Sequence, residues 1–192
     1  MSLTDDGNAL TESVQSLQAS YYFDDRFYKR ELSSIWYKNW IYVCHSNALE
    51  GPRAFQTIQI GTQNIIVLKD RNNDLRAYYN TCRHRGSALC EEKTGRLKTP
   101  VFLCPYHQWS YSLEDGRLIK TSSFKNPDNF KKEEYGLFKV KLREWRGCIF
   151  VNLDETSEWD VDNLFQRSAN ELKNFPIEDM KLGSTWKKVI RC

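Results

Sequence analysis

Four residues carry chemistry by type and spacing. Cys82 and His84 stand two positions apart in Cys82-Arg83-His84-Arg85-Gly86, and Cys104 and His107 three apart in Cys104-Pro105-Tyr106-His107-Gln108-Trp109, with nineteen residues between His84 and Cys104. Each cluster contributes one soft thiolate and one imidazole, together a four-donor metal set. Structural zinc also takes two Cys and two His, but its fingers pair like with like over short intervals. Here each loop mixes the two types. A mononuclear site would accept the set without explaining the mixing. A binuclear iron–sulfur cluster with two thiolates on one iron and two imidazoles on the other does explain it, because each loop then spans the whole cluster.

The elements that must position these loops are mostly short strands. After Gly51-Pro52, apolar alternation at Phe55, Ile58 and Ile60 is followed by strand-like runs at 64–69 and 75–80, with Arg71-Asn72-Asn73-Asp74 as a hairpin connection. Further strands are expected at 100–104, 108–112, 117–119, 137–143 and 148–153, with Glu114-Asp115-Gly116 as an Asp-Gly turn. Both clusters then fall just past strand ends. Upstream, Tyr28, Leu32, Ile35, Trp36 and Trp40 recur at helical spacing, which predicts an amphipathic helix over 25–42, capped by Asp24 or Asp25 and packed on a neighbouring sheet. Residues 150–180 turn acidic, and Leu164, Phe165, Leu172 and Phe175 suggest one short helix ended by Pro176. Residues 185–191 alternate again like a strand.

Composition narrows the function classes. The chain has 192 residues, a net charge of +3 and 14% aromatic residues, with a mean hydropathy of −0.66. The aromatic content is enough for a packed core, and the weak positive balance without a basic block argues against nucleic acid. The longest aliphatic run, 65–68, is far too short for a membrane span. Residues 1–20 are polar and lack the apolar stretch of a signal peptide, so a cytoplasmic location is expected, with the six Cys as thiols or metal ligands. Cys44, Cys90, Cys148 and Cys192 have no partner at ligand spacing and read as small packing residues. His45 reads as a structural hydrogen-bonding residue. Tyr106 and Trp109 are expected to wall the metal group from water. Arg83, Arg85, Lys93, Arg96 and Lys98 form either a solvated basic face or a docking surface for an acidic electron donor.

The segments IWYKNWIYVCHSNALEGPRAF, YYNTCRHRGSALC and FLCPYHQWSYSLEDGRLI extend the pattern well beyond the four donors. The chain resembles the N-terminal Rieske [2Fe–2S] domain of Rieske non-haem iron oxygenase α subunits, the aromatic-ring-hydroxylating family that includes choline- and glycine-betaine-type monooxygenases. The resemblance spans about residues 20–192. It implies a mainly β fold of small antiparallel sheets over 46–155, a polar tail and helical extension over 1–45, and a linker leading toward an absent catalytic domain over 156–192. It implies that Cys82 and Cys104 hold a buried ferric iron, and that His84 and His107 hold an outer iron facing the redox partner. The expected cofactor is the [2Fe–2S] cluster, and the mononuclear Fe(II) of the family belongs to the missing domain. The chain would then relay single electrons from a flavin or ferredoxin reductase to the catalytic domain of its own or a neighbouring subunit, in a homotrimer. A standalone Rieske ferredoxin, normally shorter, is the alternative, and a structural zinc module the third choice.

Two departures from the family pattern stand out. Gln108 replaces the Gly that usually follows the second His, and the interval between loops is somewhat long. The Cys pair that clamps the loops in respiratory Rieske proteins is replaced by Ser87 and Tyr106. Trp109 stands where a serine usually follows the second loop, so fewer donors to the cluster sulfurs are expected, with a reduction potential near about −150 mV, the low end for such centres.

Overall fold

The computed structural model describes residues 15–122, 127–158, 160–181, 183–184 and 188–189. The architecture is mainly β: the described residues form ten short strands in three antiparallel sheets. The strands are β1 (Ile41–His45), β2 (Ala54–Ile60), β3 (Gln63–Lys69), β4 (Leu75–Tyr79), β5 (Thr94–Arg96), β6 (Val101–Leu103), β7 (Ser110–Ser112), β8 (Leu118–Lys120), β9 (Lys141–Trp145) and β10 (Cys148–Asn152). The sheet orders are β1-β10-β9, β4-β3-β2-β5 and β6-β7-β8.

The aliphatic run at 65–68 forms the middle of the fold. Ile65, Ile66, Val67 and Leu68 are all fully buried. Side chains alternate across a strand, so β3 feeds two cores. Ile65 and Val67 join Val43, Leu49, Ile60, Ile149 and Val151 under the β1-β10-β9 sheet. Ile66 and Leu68 join Phe55, Tyr78, Phe102, Trp109, Tyr111 and Leu113, and this second core contains Cys82 and Cys104. Burial on both faces explains why β3 reads as an uninterrupted apolar run.

The hairpin expected at 71–74 joins β3 to β4. Buried Asp70 holds it: Oδ1 accepts from the backbone N–H groups of Asn72 (2.8 Å) and Asp74 (3.0 Å), and Oδ2 accepts from Arg76 Nε at 3.0 Å. Asn73 supplies the left-handed residue at φ 73°. The turn at 114–116 likewise joins β7 to β8, with Gly116 at φ 77° pressed against the Tyr78 ring.

The helical regions differ from expectation. In place of one helix over 25–42 there are α1 (Ser20–Phe23), α2 (Asp25–Glu31) and a π-helical turn (Leu32–Trp36), followed after a turn at 37–40 by β1. Asp24 caps α2 by accepting from Arg26 N–H at 2.9 Å. Only Leu32 of the expected apolar face is buried; Tyr28, Ile35 and Trp36 stay exposed. Residues 41–45 form a strand paired antiparallel with β10. The C-terminal helix α3 (Val161–Glu171) starts at the Asp160 cap and stops before Pro176. Phe165 anchors it by stacking on Trp145 (centroids 4.8 Å apart) and leaning on Phe150, while Leu164 and Phe175 are exposed. The strand expected at 185–191 lies largely outside the described residues, as does Cys192.

Candidate metal centre

The two chemistry-bearing loops leave β4 and β6 and fold alike. In the first, Cys82 N–H donates to Ser87 C=O (2.8 Å) and Gly86 N–H donates to Cys82 C=O (3.0 Å). In the second, Cys104 N–H donates to Trp109 C=O (2.8 Å) and Gln108 N–H donates to Cys104 C=O (3.0 Å). Each loop is thus closed by its Cys and by the residues four and five positions later. The fourth position is left-handed in both: Gly86 at φ 71° and Gln108 at φ 60°. Gln108 therefore keeps the backbone shape that Gly would adopt freely, at a cost of about 1–2 kcal/mol for an L-residue in that region.

All four sequence-predicted donors meet at one end of the β6-β7-β8 sheet. Cys82 and Cys104 are each 2% exposed, and their sulfurs lie within hydrogen-bonding reach of each other. The His84 and His107 rings are 4.7 Å apart by centroid, at 71°. His84 is exposed and His107 half-buried. The arrangement is therefore thiols inward, imidazoles outward. His107 Nδ1 is buried and finds no hydrogen-bond partner. Such a nitrogen costs about 1–3 kcal/mol when left unsatisfied, whereas a metal ion accepts its lone pair.

Charge at the site follows from burial. Desolvation pushes the Cys82 thiol up, while the Tyr111 hydroxyl and the His84 backbone N–H pull it down, and the Cys104 sulfur pushes it up again. His84 is held below its ordinary value by desolvation and by neighbouring His107 and Arg85. Both directions favour neutral protein groups, so a cationic metal group would bring its own compensating charge to the thiolates.

The surrounding shell includes one residue that sequence reasoning missed. Tyr111, fully buried in β7, sets its hydroxyl 3.1 Å from Cys82 Sγ and 3.1 Å from Arg83 N. The expectation of few sulfur donors overlooked it. Its signal was indirect: Tyr111 is two residues past Trp109 and so shares its face of the strand. Trp109, 5% exposed, stacks on His84 at 4.7 Å and 10°, backed by Phe130 and Tyr135. It forms a wall, as expected. Tyr106 does not, being 59% exposed while leaning on the His107 ring.

The remaining candidates separate. Buried Asn80 ties the first loop together: Oδ1 accepts from Leu89 N–H (3.2 Å) and Cys90 N–H (3.0 Å), while Nδ2 donates to Cys90 C=O and Asn64 Oδ1. Cys44 and Cys90 are buried packing residues with thiols pushed up by burial to about 11 and about 12, and Cys148 is partly exposed. His45 is structural: Nε2–H donates to Ile177 C=O (2.9 Å) and Nδ1 accepts from Asn47 N–H (3.2 Å). The basic group is dispersed. Arg83 lies over the Phe138 ring at 3.8 Å, and Arg96 is held by the carbonyls of Glu50 and Pro52. Arg85, Lys93 and Lys98 stay exposed.

Residues 39–139 match the family described as the Rieske [2Fe–2S] domain. The carnitine monooxygenase oxygenase subunit of Escherichia coli (strain K12) is 32% identical over 93% of this chain and 50% of that protein. The glycine betaine monooxygenase oxygenase subunit of Pseudomonas aeruginosa is 31% identical over 91% of this chain and 42% of that protein. Among solved structures, the apo form of a quaternary ammonium Rieske monooxygenase superposes with a TM-score of 0.79 at 30% identity, over 88% of this chain and 49% of that one. A naphthalene 1,2-dioxygenase variant superposes with a TM-score of 0.69 at 26% identity, over 78% and 33%. The chain spans about half the length of the curated oxygenase subunits it matches, or less.

Proposed function

The chain belongs to the Rieske [2Fe–2S] domain family, and we propose that it relays single electrons within a Rieske oxygenase. Cys82 and Cys104 would hold the inner iron and His84 and His107 the outer one. The observation that carries this assignment is the pair of matching loops, which bring two buried thiols and two outward imidazoles to one end of a sheet and leave His107 Nδ1 buried without a partner.

When bound, the cluster supplies a reversible one-electron couple. The chain's own residues do the rest. The core under the loops excludes water from the sulfurs, Tyr111 donates a hydrogen bond to Cys82 Sγ, and Trp109 fixes the plane of His84. The exposed face of His84 gives a short route to a redox partner. The donor would be a flavin or ferredoxin reductase, and the acceptor the mononuclear iron domain of the same or a neighbouring subunit in a homotrimer. One solved relative is described in terms of carnitine oxidation and inter-subunit electron transfer, which supports that acceptor. A cytoplasmic location goes with this reading. Among the described residues every cysteine is free and no helix is long and apolar enough to cross a membrane.

The test is metal analysis with spectroscopy. The purified chain should contain two irons and two inorganic sulfides, be red-brown, and take up one electron. Cys82→Ser and His107→Ala should each lose the visible spectrum. A colourless zinc-bearing protein, or a cluster that survives His107→Ala unchanged, would refute the assignment.

A further inference from the structure

A second concave site lies beside the first cluster loop. It is a solvent-open pocket of about 560 Å³ lined by Tyr37, Tyr79, Phe138, Leu153 and Glu155, together with the polar Gln63 and Thr81. That volume falls in the range of small-molecule sites, which are typically aromatic with a few polar groups. Three aromatic rings come from three separate segments: the end of the N-terminal helical region, β4, and the run leading to β9. The Tyr37 ring is anchored, its hydroxyl accepting from Thr62 N–H at 3.1 Å and lying 3.2 Å from Thr62 Oγ1. Tyr79 and Phe138 meet edge to face, with centroids 6.3 Å apart and planes at 85°.

Glu155 is the one charged side chain among the lining residues. It is exposed, and among the described residues its carboxylate has no hydrogen-bond or ion-pair partner. Its charge is nevertheless felt inside the pocket. The Tyr79 hydroxyl is pushed up first by burial, then by the Glu155 carboxylate and by Tyr37. Aromatic faces attract cations through their quadrupole, and an unpaired carboxylate beside them adds direct attraction. Phe138 already accepts one cation: the Arg83 guanidinium sits 3.8 Å from its centroid.

We propose that this pocket binds a compact organic cation of the alkylammonium class, with the onium group among Tyr37, Tyr79 and Phe138 and Glu155 as its counter-ion. A metal ion is a poor fit, since the lining offers a single carboxylate, and an anion would meet that carboxylate unscreened. The site is distinct from the four cluster donors. It borders their loop through Thr81, the residue before Cys82, and through the Arg83–Phe138 contact.

The experiment is a titration of the 192-residue chain, followed by calorimetry or tyrosine fluorescence, with choline and its neutral isostere 3,3-dimethylbutan-1-ol. Choline should bind saturably with a stoichiometry of one, and the alcohol about tenfold more weakly, because only the cation gains from the rings and the carboxylate. Glu155→Gln and Phe138→Ala should each weaken choline binding several-fold. Both positions are exposed, so circular dichroism should show unchanged folds. Phe23→Ala, an exposed aromatic elsewhere, should leave binding intact. Equal affinity for the alcohol, no saturable binding of choline, or choline binding indifferent to both pocket variants would overturn the proposal. Loss of binding in Phe23→Ala would place the site elsewhere and overturn it equally.

Discussion

Replacing Tyr111 by Phe tests how the protein tunes the cluster. The hydroxyl has one proton to give, and its surroundings decide where that proton goes. Arg83 N–H already donates to the oxygen at 3.1 Å, so the hydroxyl's own proton is left for Cys82 Sγ, also at 3.1 Å. Burial, reinforced by the neighbouring Cys82 sulfur, pushes the phenol far above its ordinary value, so it remains a donor at any working pH. A hydrogen bond to a charged acceptor is worth about 1.5–3 kcal/mol. Only the part that differs between redox states moves the potential. If the added electron strengthens the bond by a third to a half, the differential is about 1 kcal/mol, which for one electron is roughly 40 mV. Reduction places more charge on sulfur, so losing the donor makes reduction harder and the potential should fall by about that amount. The Phe ring keeps the core packing, and the cluster should assemble normally. A redox titration followed by visible circular dichroism reads the shift directly. An unchanged or raised potential in a variant with full iron and sulfide content would show that Tyr111 does not donate to the sulfur.

Other expectations follow from single positions. Replacing Cys44, Cys90, Cys148 and Cys192 together should preserve the visible spectrum in whatever protein folds; loss of colour with normal far-ultraviolet dichroism would contradict the ligand set. Gly147→Ala puts a Cβ 2.3 Å from His45 Nε2 at a residue with φ 83°. It should cost about 2–3 kcal/mol and lower Tm by about 5–10 °C in a thermal melt. Gln108→Gly should relax the second loop, raising Tm slightly or leaving it level with the spectrum unaltered, and a clear loss of stability would show that the Gln side chain matters there. The Arg146 guanidinium holds Glu178 below the usual carboxylate value. A depressed folded-state value gives stabilisation that is present above about pH 4.5 and lost as pH falls through the lower folded value. Protection factors of residues 172–180, taken relative to intrinsic exchange at each pH, should accordingly fall in acid, and Arg146→Ala should abolish that pH dependence.

The grouping of the four candidate donors at one end of a sheet was legible because each pair lies close in sequence within its loop. Gln108 in place of Gly pointed to an altered second loop, but the backbone keeps the left-handed residue there, at φ 60°. Tyr111 was not legible, because its role depends on β7 pairing with β6 so that Tyr111 faces Phe102 beneath the loops, a relation between strands that spacing does not carry. The buried strand β3 could be read from its unbroken aliphatic run. Strand β5, Thr94–Arg96, could not: it is an exposed edge strand with no apolar residue. β1 was absorbed into the helical periodicity that precedes it, since Trp40 sits at the next helical step after Trp36. The same periodicity described a real apolar stripe at Tyr28, Ile35 and Trp36, but a stripe does not say what covers it, and the described chain leaves these residues exposed.

The two cluster loops place their His at different offsets, two residues after Cys82 and three after Cys104, on the same hydrogen-bonded frame. Frame and payload are therefore separable. The closing bonds use backbone atoms of the Cys and of the fourth and fifth residues beyond it, and the three positions between make none of them. A side chain can be moved along those positions without reopening the turn, so its aim is adjustable in steps of one residue. The constraint falls on the fourth position, which must tolerate a left-handed backbone. A loop of this kind is a transplantable mount: a designer who keeps the Cys and a residue suited to positive φ could choose independently which way the second donor points.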